Sequence, residues 1–178
     1  MLNTQKEQKL KLQNNFMTEK KKNLSEFTPF EFSSAQNIRI GIVVSEWNSH
    51  ITDSLLSGAV ETLNKYGITN DFISIHHVPG SFELPLGAEW MLKYTNVDAV
   101  ICIGCVIQGE TRHFEFISQA VADGIMKVGL EFSKPVIFSV LTTNDMRQAE
   151  ERSGGIHGNK GVEGAISCLK MLKMVESL

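Results

Sequence analysis

Residues 105–117 read CVIQGETRHFEFI, placing a glycine, a hydroxyl and an imidazole where an apolar strand hands over to a helix-spaced segment. Each type has a chemistry at such a junction. Gly109 would let a ligand approach the backbone, and the N–H groups that open a helix bind anions with help from its dipole. His113 would stand on the first turn beside that anion, where a side chain titrating near neutrality can move protons on a carbonyl or an amine. Plainer roles stay open. Thr111 could simply cap the helix, stabilising it by about 1 kcal/mol, and His113 could be structural or solvated.

Other residue clusters pose the same choice. Trp47 and Phe82 follow strand-like runs rather than lying on helix stripes, so they could stack on a planar ring or join the core. Glu83 could accept hydrogen bonds from hydroxyls or ring N–H groups, or favour a helix N-terminus. Arg152 precedes the glycine-rich segment SGGIHGNKG and could grip a phosphate or a carboxylate, or make a surface ion pair. Lys160 opens the last helix, where the dipole disfavours a cation, which invites a binding role against the default of a solvated lysine. Asn159-Lys160-Gly161 departs from the Gly-Lys-Ser/Thr of a nucleotide-binding P-loop. Cys102-Ile103-Gly104-Cys105 has redox spacing but falls inside a strand-like run, so its two thiols face opposite ways and read as buried apolar groups. His76 and His77 also face opposite ways on a strand and lack further ligands at metal spacing, so no metal site is expected.

The elements that would position these residues follow from apolar periodicity. Strands are expected at 37–45, 71–78, 97–107 and 134–142, and helices at 50–67, 81–94, 111–132, 144–152 and 160–178, with a glycine-rich loop at 153–159. Gly67 suits the residue just past the first helix, and Pro85 is tolerable only near the start of the second. Continuous apolar strands alternating with helices imply an α/β fold, a three-layer α/β/α sandwich around a four-stranded parallel sheet of flavodoxin-like type. Ligands of such sheets bind beyond the carboxyl ends of the strands, where the unusual polar and aromatic residues lie.

The chain has 178 residues, 42% hydrophobic, which suits one domain over 37–178. Residues 1–36 read as a flexible extension, with a docking arm as the alternative. Lys exceeds Glu by three within residues 1–26, which leaves the body at −6 when the chain as a whole is −3. An acidic body argues against nucleic-acid binding. No apolar run reaches the length that spans a bilayer, and the first thirty residues have no signal-like apolar region. Three cysteines without such a signal point to a reducing compartment, and a cytoplasmic protein is expected.

Taken in series, GIVVSEWN, VPGSFELP, GCVIQGETRHFEFI, PVIFSVLTTNDMRQAEER and GNKGVEGA resemble the lumazine synthases over residues 38–176. The resemblance implies condensation of 5-amino-6-ribitylaminouracil with 3,4-dihydroxy-2-butanone 4-phosphate. The products are 6,7-dimethyl-8-ribityllumazine, phosphate and water, in the riboflavin pathway, with no metal or organic cofactor. Residue by residue it makes Trp47 the aromatic on the pyrimidine, with Asn48 beside it. Ser81, Phe82 and Glu83 hold the ribityl chain and ring, Cys105, Val106 and Ile107 present backbone to the heterocycle, and Phe138 adds a further backbone contact. Glu110 and Thr111 belong to the helix start that takes the phosphate, Arg152 pairs with it from an adjacent subunit with Lys160 nearby, and His113 transfers protons. Pentamers or sixty-subunit icosahedral shells, and riboflavin synthase as a partner, are implied in the same way.

Three positions depart from the family pattern. Gln108 replaces a frequent Arg or Lys, Glu110 is acidic beside the phosphate site, and Ile156-His157 replaces a usual Lys-Ala in the glycine loop. The competing readings are a flavin or nucleotide carrier without turnover, and a thiol oxidoreductase working through Cys102 and Cys105.

Overall fold

The computed structural model describes residues 23, 25–32 and 37–178. Four parallel strands, β1 (Ile40–Ser45), β2 (Ile73–Val78), β3 (Ala99–Ile107) and β4 (Val136–Thr143), form a sheet in the order β2-β1-β3-β4. They alternate with helices α1 (Ser49–Lys65), α2 (Leu84–Tyr94), α3 (His113–Phe132), α4 (Met146–Arg152) and α5 (Lys160–Glu176). This is the α/β sandwich expected from the alternation of apolar runs.

Strand alternation sorts the core into two layers. Ile40, Ile42, Val44, Ala99, Ile101 and Ile103 meet Ile51, Leu55, Ala59 and Leu63 of α1 and Ala165, Cys168 and Leu169 of α5. Val43, Val100, Cys102 and Val140 meet Leu84, Ala88 and Met91 of α2 and Val121, Ile125 and Val128 of α3 on the other face. Both faces of β1 and β3 are therefore buried, which is why those strands read as unbroken apolar runs.

Local stops and starts follow side-chain chemistry. The end of α1 is a Schellman turn: Ile68 N–H donates to Leu63 O at 3.1 Å, Gly67 N–H donates to Asn64 O at 3.0 Å, and Gly67 takes φ 90° as expected. Asp145 caps α4 by accepting from Gln148 N–H at 2.8 Å, and Asn159 caps α5 through Gly161 and Val162 N–H at 2.8 and 3.2 Å.

Most element ends shift by one to three residues from the sequence expectation, and three differences bear on the candidate residues. The segment 81–83 is a 3-10 turn, and the α-helix begins at Leu84 with Pro85 in its first turn. The next helix begins at His113 rather than Thr111, so Thr111 is not its N-cap: Arg112 holds that position without a side-chain bond, and the Thr111 hydroxyl meets His113 N–H at only 3.4 Å. The glycine loop 153–159 folds as a small antiparallel hairpin, β5 (Ser153–Gly155) with β6 (Gly158–Asn159). Glycines carry no side-chain periodicity, so backbone pairing of this kind leaves no pattern to read.

The flexible extension expected over 1–36 lies largely outside the described residues. Residues 25–32, however, rest on the body. Phe30 and Phe32 pack against the α1–α5 core layer, the Phe30 ring stacks on Tyr66 with centroids 4.8 Å apart, and Lys173 Nζ donates to Glu31 O at 2.9 Å.

Candidate functional site

The chain leaves β1 toward β2 on one side and arrives at β3 on the other, so β1 and β3 flank the point where the connections diverge. Crevices form there beyond the strand ends. Pairing with β1 stops at Val44–Ile103, while β3 continues to Ile107. The overhanging β3 backbone is the floor of the crevice. Asn48 Nδ2 donates to Cys105 O at 3.0 Å and Gln108 N–H donates to Thr143 O at 2.8 Å, so peptide groups of alternate residues turn toward the crevice and toward β4.

Asn48 reaches Cys105 from a left-handed backbone conformation, φ 60°, which Asn tolerates better than most residues. That turn sets Trp47 outward at 70% exposure, and the 81–83 turn sets Phe82 outward at 57%. Neither aromatic is core, which resolves the choice left open by the sequence in favour of exposed rings. Gly104 lets this turn come close: a Cβ there would lie 2.6 Å from Ser81 Oγ. Glu83 turns its carboxylate back onto Gly80 N–H at 3.0 Å, closing its own turn. The result is a cleft of about 460 Å³ lined by Trp47, Asn48, Ser81, Phe82, Glu83, Cys105, Val106, Ile107 and His113, a volume usual for a small-molecule site. Eight consecutive-segment residues named from sequence thus share one cavity with the histidine. Glu110 and Thr111 are exposed just before α3 and line neither this cleft nor the one below.

The remaining candidates lie elsewhere. Phe138, Arg152 and Lys160 line a second cleft of about 590 Å³ at the β4 edge, together with Arg147, Gln148 and Thr142, and the two clefts share no lining residue. Arg152 is held rather than loose. Its guanidinium donates to both Glu163 oxygens at 2.7 and 3.0 Å and to His157 O at 2.8 Å, and Lys160 Nζ lies 3.3 Å from Glu163. Burial pushes the Glu163 carboxyl up, but the hydrogen bonds and charges of Arg152 and Lys160 outweigh it and hold the group below the usual carboxylate range. The misfit of Lys160 with the helix dipole is compensated by this carboxylate one turn on.

Glu163 is the residue that sequence reasoning missed. In the first turn of a helix an acid reads as a dipole partner, and only the β5–β6 hairpin brings it to an arginine eleven residues earlier. The Ile156-His157 departure does not open that hairpin: His157 N–H donates to Glu151 O at 2.9 Å and its ring stands 3.8 Å from the Glu151 carboxylate.

Cys102 is fully buried on the α2–α3 face and Cys105 on the α1–α5 face. Burial pushes the Cys105 thiol up to about 11 and that of Cys102 higher still, the opposite of a redox-active thiol. Among the described residues no group of three His, Cys, Asp or Glu is arranged to hold a metal ion, and no helix is long and apolar enough to cross a membrane.

The family model of 6,7-dimethyl-8-ribityllumazine synthase matches residues 37–176. A protein of that name from Cytophaga hutchinsonii is 56% identical over 156 residues, covering 88% of this chain and 98% of the relative. Its counterpart in Flavobacterium johnsoniae is 52% identical over 155 residues (87% and 82%), and that in Porphyromonas gingivalis is 48% identical over 149 residues (84% and 92%).

Proposed function

Because the chain belongs to the 6,7-dimethyl-8-ribityllumazine synthase family, we propose that it condenses 5-amino-6-ribitylaminouracil with 3,4-dihydroxy-2-butanone 4-phosphate at a site shared by two copies of the chain. The activity places it in riboflavin biosynthesis as a transferase, working in the reducing cytoplasm and supplying its product to riboflavin synthase. One observation carries the shared-site reading. The aromatic and histidine residues fall in one cleft, and the cations suited to phosphate fall in another. Each cleft is half of what the reaction requires.

In this reading the pyrimidine stacks between Trp47 and Phe82, and the β3 overhang offers peptide groups to its ring edge. The ribityl chain runs along Ser81 to Glu83. The butanone phosphate lies beside it, its phosphate held by the α3 start around Glu110 and Thr111 and by Arg152 and Lys160 of a neighbouring copy, where Phe138 adds backbone. The ring amine attacks the ketone, and loss of water gives an imine. Phosphate leaves next, and closure of the second ring releases another water. His113 carries protons in each step. Holding two substrates in register supplies much of the acceleration.

Assembly has a second support. Trp90 and Tyr94 on α2 and Phe116, Met126 and Leu130 on α3 leave large apolar groups in solvent, with Leu130 at 74% exposure. Apolar surface on this scale marks an interaction face, in keeping with the pentamers and sixty-subunit shells of the family. Mixing both substrates with the full chain tests the function. Growth of lumazine fluorescence, lost in the double variant His113→Ala, Arg152→Ala, is the expected result. Tight binding of the pyrimidine with no product would instead identify a carrier.

A further inference from the structure

The residues that grip Arg152 are themselves gripped from outside the domain. Ser25 Oγ accepts from Asn159 N–H at 2.6 Å and lies 3.1 Å from Asn159 O and 3.4 Å from Glu163 Oε1, so its single proton bridges a peptide oxygen and the carboxylate. The seat is shaped for this contact. Gly158 takes φ +85°, and a Cβ there would lie 2.3 Å from both Asn23 Oδ1 and Ser25 Oγ. A second anchor lies farther along. Phe30 is stacked on Tyr66 beneath the ammonium groups of Lys170 and Lys173, at 5.8 and 5.7 Å from the ring centre.

Between these anchors, residues 25–32 run over the α1–α5 face as a strap ending on the turn that carries Asn159, Lys160 and Glu163. We propose that Ser25 is a positioning residue for the phosphate grip: it fixes the Asn159 peptide and the Glu163 carboxylate, and through them the directions of Lys160 and Arg152. The residue touches no substrate. It acts on how well two cations are prearranged for one anion, so its effect falls on the phosphorylated substrate and spares the pyrimidine. The inference rests on the reading of Arg152 and Lys160 as the phosphate grip, and it extends the working protein beyond residues 37–176, which the family model matches.

The test compares the full chain with Ser25→Ala, Ser25→Thr and Phe30→Ala, measuring kcat and the KM of each substrate, with inorganic phosphate as a competitive inhibitor. Loss of support equivalent to one ordinary hydrogen bond predicts that Ser25→Ala raises the KM for the butanone phosphate and the inhibition constant of phosphate together, by about fivefold. The KM for the pyrimidine and kcat should move by less than about twofold. Ser25→Thr, which keeps the hydroxyl, should restore both constants, and Phe30→Ala should reproduce the defect by freeing the strap. Equal changes in both KM values, or no change in either alanine variant, would overturn the proposal. Arg152→Lys separates the two layers of the reading. If it leaves phosphate binding intact, the assignment of the grip is wrong; if it weakens phosphate binding while Ser25→Ala does not, only the strap is wrong.

Discussion

Replacing Glu163 by glutamine probes the electrostatics of the second cleft at a single oxygen. In the parent, Arg152 donates to both carboxylate oxygens, at 2.7 and 3.0 Å, and the two side chains are 17% and 19% exposed. The amide keeps one acceptor and turns its own N–H₂ toward a guanidinium that has no acceptor, so one bond is lost outright and the charge with it. A hydrogen bond to a charged group is worth about 1.5–3 kcal/mol and an exposed ion pair about 0–1 kcal/mol. A half-buried bidentate pair that keeps one bond falls between, at about 1–2 kcal/mol. For a chain of this size each kcal/mol shifts Tm by about 2–4 °C, so Glu163→Gln should melt about 2–8 °C below the parent at equal protein concentration and neutral pH. Acid should remove the difference. The folded carboxyl titrates below its unfolded value, near about 4.3, so its contribution is complete above that pH and is lost as pH falls through the folded value. The gap in melting temperature should therefore hold from about pH 8 to 5, begin to shrink below about pH 4.3, and close once the pH has fallen through the lower folded value. Equal stability at neutral pH, or a gap that widens on acidification, would refute this view of the Arg152–Glu163 pair.

Other perturbations separate the roles assigned to the first cleft. Trp47→Ala should raise the KM for the pyrimidine about tenfold, the scale of one lost ring-stacking contact, with the melting temperature nearly unchanged because the ring is exposed; steady-state kinetics and a thermal melt read both. Asn48→Gly keeps the left-handed turn but loses the bond to Cys105 O, whereas Asn48→Ala loses both, so urea unfolding should rank parent, glycine and alanine in falling order, with about 1 kcal/mol between parent and glycine. Iodoacetamide at pH 7.5 should leave the native protein's activity intact and label Cys102, Cys105 and Cys168 only after denaturation, since all three are buried free thiols; rapid labelling of one thiol with loss of turnover would revive the oxidoreductase reading.

What could be read from the chain depended on how local the physics was. β1 and β3 are buried on both faces, so their apolar runs announced them directly, and Gly67 marked its turn because the left-handed position has few other occupants. The first cleft was legible for the same reason: Trp47, Phe82 and His113 each follow a strand end, and strand ends of a parallel sheet converge. The start of α3 was less so, because Gln108 to Arg112 offers several cap-like residues and the backbone selects among them without a side-chain bond. Glu163 and Ser25 were not legible at all. Their partner atoms lie on segments remote in sequence, Arg152 across a hairpin and Asn159 at a separation of 134 residues, and no periodicity links such positions.

Mixing two defective proteins tests the shared site most directly. His113→Ala and Arg152→Ala each spoil one cleft and leave the other intact, so dissociating and reassembling them together in equal amounts creates interfaces where an intact first cleft faces an intact second cleft. If neighbouring copies each contribute one half, random reassembly should restore about a quarter of parental activity. A mixture no more active than the average of the two variants alone would mean that both halves serve the same chain, and the two-copy site would be wrong.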